Sequence, residues 1–221
     1  MKRRKSQGSR GWAGDVRTVE VGSRLILVPY WEPRDPSSNR INLIIDPGPS
    51  FGSGDHPTTL MALELLEIAV ETAKEDNPRP TMLDVGTGTG ILAIGAKALG
   101  TGLTVGLDPD SAAVFTARRN IALHASVLKN KSGHGNIHLF IGEAGSVGST
   151  FNIVAANLVA PLLLRIHQDI TRLVNHLLVL SGIADPMERE VIEKFRNAGL
   201  ELIARRNSEE WNAVLLRKRQ D

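Results

Sequence analysis

Two aspartates flank a glycine-rich segment near the middle of the chain. Residues 83–90 read Leu-Asp-Val-Gly-Thr-Gly-Thr-Gly and contain Asp84, and Asp108 ends the next predicted strand. The spaced glycines of the segment are Gly86, Gly88 and Gly90. Glycine at a strand-to-helix turn lets a ligand approach the backbone, where helix-terminal N–H groups face it. Asp84 is placed to hold an ammonium group, and Asp108 to accept hydrogen bonds from both hydroxyls of a ribose.

Two common nucleotide motifs fit this segment poorly. A phosphate-binding P-loop needs Lys-Ser/Thr after its last glycine, whereas Gly90 is followed by Ile91 and Leu92. The dinucleotide fingerprint Gly-x-Gly-x-x-Gly requires its third glycine one residue later than Gly90. The combination of Asp84, the glycine loop and Asp108 instead resembles the S-adenosylmethionine (AdoMet) site of class I methyltransferases. That resemblance implies AdoMet as the cofactor.

Strands that alternate with helices must position these residues. The predicted strands are 81–85, 103–107, 137–141, 151–156, 177–180, 200–204 and 213–217. The predicted helices between them are 90–99, 110–124, 161–174 and 187–198. Such alternation is typical of a parallel sheet covered on both faces, but the last two strands are joined too closely for a crossover helix. The sequence therefore predicts an α/β fold with a doubly wound, mainly parallel, seven-stranded sheet and a C-terminal antiparallel hairpin.

A separate group of elements precedes this sheet. Residues 24–30 and 41–45 are predicted strands, which form either a hairpin or two edge strands. The glycine- and proline-rich residues 46–54 form a loop, and Asp-His-Pro-Thr at 55–58 is typical of a helix start. The helix itself is predicted over residues 59–74.

Four further segments resemble the PrmA family, whose members methylate a large-subunit ribosomal protein on lysine side chains and its N-terminal amine. Residues 46–59 read Asp-Pro-Gly-Pro-Ser-Phe-Gly-Ser-Gly-Asp-His-Pro-Thr-Thr, close to the family's signature. Residues 154–162 are similar to its Val-Ala-Asn-Ile…Pro-Leu segment, and residues 180–183 to its Leu-Ser-Gly-Ile segment. Glu210-Trp211 is similar to its Glu-Glu-Trp segment. The resemblance runs from about residue 24 to residue 218.

The resemblance implies AdoMet contacts at Thr59, Gly86, Asp108 and Asn157. Chemistry agrees, since Thr59 offers a hydroxyl at a helix start, and the Asn157 amide with the Leu158 backbone can orient an incoming amine. We therefore assign catalytic positioning to Asn157 and Leu158. Phe51 either covers the cofactor or fills the core. His56 is a candidate base, although a role at the helix start fits its place beside proline equally well.

The expected function is AdoMet-dependent N-methylation of lysine or N-terminal amines of a protein. The resembling enzymes carry an additional N-terminal recognition domain, so this chain reads as a catalytic domain (24–221) preceded by a basic, flexible tail (1–23). A small-molecule N- or O-methyltransferase stays open as an alternative. A further alternative is a module that binds AdoMet without turnover and serves a partner.

Composition excludes several other classes. The chain has no cysteine, which rules out disulfide scaffolds, and its 6 histidines show no ligand spacing, so no metal site is expected. The formal net charge is +2, with basic residues concentrated near both ends, where contact with RNA or an acidic partner is possible. No signal-peptide or membrane-spanning segment is apparent, and a cytoplasmic location is expected.

Overall fold

The computed structural model describes residues 17–35, 37–46, 56–124 and 137–219. Its main sheet has seven strands: β4 (Met82–Val85), β5 (Thr104–Asp108), β6 (Ile137–Ile141), β7 (Phe151–Asn157), β8 (Val174–Ala184), β9 (Leu200–Ser208) and β10 (Trp211–Lys218). Their order across the sheet is β6-β5-β4-β7-β8-β10-β9. The first five pair in parallel, and β10 pairs antiparallel with both of its neighbours. The predicted doubly wound sheet with a terminal antiparallel hairpin is confirmed.

Helices cover both faces of this sheet, as its parallel pairing requires. They are α1 (Pro57–Asp76), α2 (Ile91–Leu99), α3 (Ser111–Leu123), α4 (Ala160–Arg165), α5 (His167–Leu173) and α6 (Glu188–Asn197). One buried cluster joins α1 and α2 to one face, and a second joins α4, α5 and α6 to the other. The predicted helix over 161–174 is divided into α4 and α5 at Ile166, whose backbone leaves the helical conformation (φ −101°, ψ 14°).

A second sheet contains β1 (Val19–Val21), β2 (Leu25–Pro29) and β3 (Ile41–Ile45). The alternative of a hairpin between the two longer strands is wrong, because β2 and β3 pair in parallel. Residues 30–40 between them are long enough to return the chain to the starting end, which a tight turn is not. β1 falls within the segment assigned to the tail and pairs antiparallel with β2. Residues 1–16 lie outside the described residues, and the tail boundary stays a prediction.

Local chemistry sets the ends of the helices beside the carboxyl edge of the main sheet. His56 caps α1: its Nδ1 accepts from the Thr58 backbone N–H at 3.3 Å, and Pro57 occupies the first turn. α2 begins after Gly90 and ends before Gly100, both in the left-handed region (φ 81° and 108°). These helix starts converge on the strand ends, and the strand order reverses between β4 and β7. Ligands bind at such a crevice in doubly wound sheets.

Candidate cofactor and acceptor site

Two contiguous cavities lie at the carboxyl edge of the sheet. The larger has a volume of about 470 Å³ and the smaller about 140 Å³, and both are lined by Gly86, Asp108 and Leu158. Thr59, Asp84 and Asn157 line the smaller cavity. The structure therefore brings together residues that the sequence places on four separate segments.

Asp84 is buried at the end of β4, with one carboxylate oxygen satisfied and the other not. Its Oδ2 accepts from the Thr87 hydroxyl at 2.7 Å and from the Ala93 backbone N–H at 3.2 Å. Its Oδ1 is buried without a hydrogen-bond partner among the described residues. Burial raises the pKa of the Asp84 carboxyl to about 7, and the nearby Asp108 carboxylate adds to the increase. An unpartnered buried carboxylate oxygen in a cavity is suited to a cationic group of a ligand.

Asp108 is held by backbone groups at the end of β5. Its Oδ2 accepts from the Gly88 N–H at 3.1 Å, and its Oδ1 accepts from the Asp110 N–H at 3.0 Å. An ionised carboxylate has about four acceptor positions, so two of them remain after these bonds. The two remaining positions suit a pair of adjacent hydroxyls, as the sequence predicts.

Two of the three loop glycines allow a close approach at the cavities. Gly86 and Gly88 have φ of +74° and +53°, and both line the smaller cavity. A Cβ on Gly86 would lie 2.5 Å from Cδ2 of Leu158. Gly90 lines neither cavity; a Cβ there would meet Ala117 of α3 at 3.0 Å. Its part in cofactor binding stays a prediction.

Asn157 and Thr59 meet across the smaller cavity. The Asn157 Nδ2 donates to the Thr59 Oγ1 over 3.4 Å, a long hydrogen bond. The Asn157 Oδ1 is buried and has no hydrogen-bond partner within the described part of the chain. Leu158, half-buried, packs over Gly86 between the two cavities. Asn157 and Leu158 thus line the smaller cavity together with Thr59, Asp84 and Asp108, and their catalytic role stays a prediction.

Two other predicted positions have different outcomes. Phe51 lies outside the described residues. His56 sits at the start of α1, where its Nδ1 is 2.8 Å from the Thr58 hydroxyl and its ring packs edge-on against Trp211, with centroids 5.4 Å apart. These contacts account for a helix-start role. The Glu210-Trp211 segment of the family pattern thereby contacts the helix that carries Thr59.

The sequence did not single out the loop after β6. Glu143, Ala144 and Gly145 from this loop line the larger cavity, together with Leu162 and Ile166 from the α4–α5 region. The sequence could have indicated this loop, because the ends of β4, β5 and β6 must lie side by side in a doubly wound sheet. Any glycine-rich segment after such a strand is a candidate ligand-binding loop.

Within the described residues, no helix is both long and apolar enough to cross a bilayer. The same residues hold no cluster of carboxylate and imidazole groups suited to a metal ion.

The residues at the two cavities fit AdoMet. The unpartnered Asp84 oxygen matches its ammonium group, and the two remaining acceptor positions of Asp108 match its ribose hydroxyls. Gly86 lines both cavities, and its lack of a side chain leaves room for Leu158 between them. The fold and the site define a class I AdoMet-dependent methyltransferase.

Comparison with known proteins identifies the family. A family model described as ribosomal protein L11 methyltransferase (PrmA) matches residues 5–219. The chain belongs to this family, which confirms the resemblance found in the sequence.

Individual relatives agree with that assignment. A ribosomal protein L11 methyltransferase of Chloroflexus aurantiacus is 35% identical over 96% of this chain and 69% of its own length. One of Pelobacter propionicus is 38% identical over 95% of this chain and 66% of its own length. The chain thus spans about two thirds of the length of these curated relatives.

Solved structures show the same fold. A ribosomal protein L11 methylase from Lactobacillus delbrueckii subsp. bulgaricus superimposes with a TM-score of 0.77 at 24% identity, covering 93% of this chain and 99% of that chain. A magnesium protoporphyrin IX methyltransferase from Synechocystis with bound AdoMet gives 0.58 at 14% identity, covering 71% and 79%.

The Gly86 position provides a first test of the site. Gly86→Ala is expected to lower the free energy of unfolding by about 1–2 kcal/mol, because alanine is strained at positive φ. It should also weaken AdoMet binding, because its Cβ displaces Leu158 into the cavities. Thermal melts with and without AdoMet measure both effects. Gly148→Ala is the control, since a Cβ there meets nothing within 4 Å; equal behaviour of the two variants would contradict the assignment.

Proposed function

We propose that this chain transfers methyl groups from AdoMet to lysine or N-terminal amines of a protein, and that this protein is ribosomal protein L11. The names of the curated relatives support the acceptor. The observation that carries the catalytic part is the buried, unpartnered Oδ1 of Asn157 at the smaller cavity. A carbonyl oxygen there accepts a hydrogen bond from an amine N–H and turns the nitrogen lone pair toward the cavity.

The residues that would hold the cofactor are Asp84, Gly86, Gly88 and Asp108, with Thr59 at the smaller cavity. When bound, the cofactor supplies a methyl carbon activated by its sulfonium charge. The larger cavity, between Asp108 and the loop after β6, offers room for the nucleoside base. The smaller cavity, beside Asp84 and Thr59, offers room for the amino acid part.

Asn157 and Leu158 would orient the acceptor rather than remove its proton. A free lysine amine has a pKa of about 10.4 and must be neutral to attack. Partial burial beside a positive charge lowers that pKa, so the proton leaves to solvent before transfer. The amine nitrogen then forms its bond to the methyl carbon as the carbon–sulfur bond breaks, and the sulfur keeps the electron pair. Alignment is the main requirement for such a displacement.

Asn157→Ala tests this role. We expect turnover to fall by about 100-fold, because the amine loses the group that aligns it. AdoMet affinity should change much less, since Asp84 and Asp108 are untouched. Steady-state kinetics with L11 and calorimetry with AdoMet measure the two quantities.

Asn152→Ala is the matched control at the opposite end of β7. Its Oδ1 accepts from the Thr81 N–H at 2.9 Å and from the Thr81 hydroxyl at 3.1 Å, remote from both cavities. This variant should lose stability and keep its turnover per folded molecule. Unchanged turnover in Asn157→Ala would contradict the proposal that Asn157 orients the acceptor amine.

Incubation with labelled AdoMet identifies the acceptor class. Label on purified L11 supports the proposal, and label only on members of a small-amine and small-alcohol panel supports the small-molecule alternative. Tight AdoMet binding without transfer to either would indicate a non-catalytic module.

The remaining expectations follow from this acceptor. A ribosomal protein as substrate supports a cytoplasmic location for the enzyme. The basic residues near the start of the chain would contact RNA or an acidic surface of the partner, and deletion of residues 1–16 should then reduce affinity for L11. The catalytic domain would comprise residues 24–221.

A further inference from the structure

Ser181 lies where three elements of the site meet. Its side chain is fully buried, and its Oγ donates to the Thr58 carbonyl oxygen at 2.8 Å. Its own carbonyl accepts from the Leu158 N–H at 3.1 Å. One residue of β8 therefore holds both the first turn of α1 and the segment that follows β7.

Gly182 fixes the same segment from the next position. It has φ of +82°, and a Cβ there would lie 2.5 Å from the Leu158 carbonyl oxygen. The backbone of β8 thus packs directly against the backbone of Leu158, and no larger residue allows this approach. The path of the chain at Leu158 is determined by Ser181 and Gly182 together.

These contacts set the distance between Asn157 and Thr59. In the parallel register Asn157 lies opposite Ser181, and Thr59 directly follows the residue that Ser181 binds. The Asn157–Thr59 hydrogen bond is 3.4 Å long and is too weak to hold the two elements by itself. The shorter bond from Ser181 supports the arrangement that keeps Asn157 and Thr59 side by side at the smaller cavity.

We propose that Ser181 is a positioning residue for methyl transfer, which acts by fixing the start of α1 against the end of β7. This role rests on the proposed function, because it works through Asn157. This role gives a physical reason for the Leu-Ser-Gly-Ile segment of the family pattern beside Asn157 and Leu158. A buried hydroxyl needs a hydrogen-bond acceptor, and for Ser181 that acceptor is the carbonyl of the residue that precedes Thr59.

Ser181→Ala tests the proposal. We expect kcat with L11 to fall by about tenfold, because a small displacement of the aligning amide reduces the productive fraction of encounters. Ser181→Cys keeps a hydrogen-bond donor at this position, although a weaker and larger one, and its kcat should fall between those of the alanine variant and the wild type. The cysteine variant also serves if the alanine variant does not fold.

A double-mutant cycle separates positioning from stability. In the Asn157→Ala background, Ser181→Ala should lower kcat by less than about twofold, because the residue it acts through is already gone. Thr104→Val is the control: it removes the buried hydroxyl that lies 2.8 Å from the Thr101 hydroxyl, and kcat should stay at the wild-type value. Both Ser181→Ala and Thr104→Val are expected to lower the melting temperature by a few degrees.

The outcomes are distinguishable. If Ser181→Ala keeps the wild-type kcat, or loses as much in the Asn157→Ala background as alone, the positioning role is wrong. If Asn157→Ala itself keeps full turnover, the proposed function of that residue fails first, and the positioning role fails with it.

Discussion

Asp108→Ala is expected to weaken AdoMet binding by about 100-fold or more. The carboxylate offers two acceptor positions to adjacent hydroxyls, and hydrogen bonds to a charged group contribute about 1.5–3 kcal/mol each. The substitution also removes the acceptor for the Gly88 N–H, which loosens the glycine loop. Calorimetric titration of the protein with AdoMet measures the affinity.

Two comparisons make the Asp108 result specific. Asp108→Asn keeps one acceptor oxygen and should lose less affinity than alanine. Asp110→Ala removes the cap of α3, whose Oδ1 accepts from the Ala112 N–H at 2.8 Å, and should cost about 1 kcal/mol of stability with no change in affinity. Wild-type affinity in Asp108→Ala would contradict the ribose assignment, as would clean binding of a nicotinamide nucleotide or a nucleoside triphosphate in place of AdoMet.

Asp84→Asn is expected to change stability and binding in opposite directions. The amide carries no charge into the buried site, so the free energy of unfolding at pH 8 should rise by about 2 kcal/mol. AdoMet affinity should fall by about 10–100-fold, because the amide cannot neutralise an ammonium group. Chemical denaturation and calorimetry measure the two changes.

The pH dependence follows from the raised pKa of Asp84. That pKa is about 7 in the folded protein, against 3.8 for the ordinary carboxyl. The folded state therefore binds more protons between these values, and stability falls as the pH rises through this window. The advantage of Asp84→Asn over the wild type should be nearly constant above pH 7 and shrink steadily as the pH falls from 7 toward 4.

The protonation of Asp84 should also affect AdoMet binding. A cationic ligand group favours the ionised carboxylate, so AdoMet binding near pH 6.5 should release a proton from Asp84 in the wild type and none in Asp84→Asn. Titrations in two buffers of different ionisation enthalpy measure this release. A variant that is less stable than the wild type at pH 8, or that releases the same number of protons, would show that Asp84 does not carry the buried charge.

Much of the site was predictable because its residues follow strands. Asp84 and Asp108 end neighbouring parallel strands, and such ends meet at one edge of a sheet. Asn157 follows the strand on the other side of β4, so its place at the crevice also follows from topology. Thr59 depended on the family resemblance, because its helix precedes the main sheet in the chain and no periodicity shows where that helix packs.

Other features depend on tertiary contacts that no local pattern encodes. The parallel pairing of β2 with β3 depends on how the chain returns through residues 30–40. The break at Ile166 lies inside an apolar segment whose spacing suits one continuous helix. The role of Leu158 between two cavities requires the three-dimensional approach of Gly86 and Gly182. The bond from Ser181 to Thr58 joins positions far apart in the sequence, so residue types alone could not indicate it.

A crystal structure with S-adenosylhomocysteine, the demethylated product of the cofactor, would show whether the two carboxylates hold the cofactor. We expect the ribose hydroxyls to bind Asp108, the amino group to bind Asp84, and the sulfur to lie in the smaller cavity and face Asn157. A product bound away from these two carboxylates, or with its sulfur turned from Asn157 toward the loop after β6, would contradict this expectation.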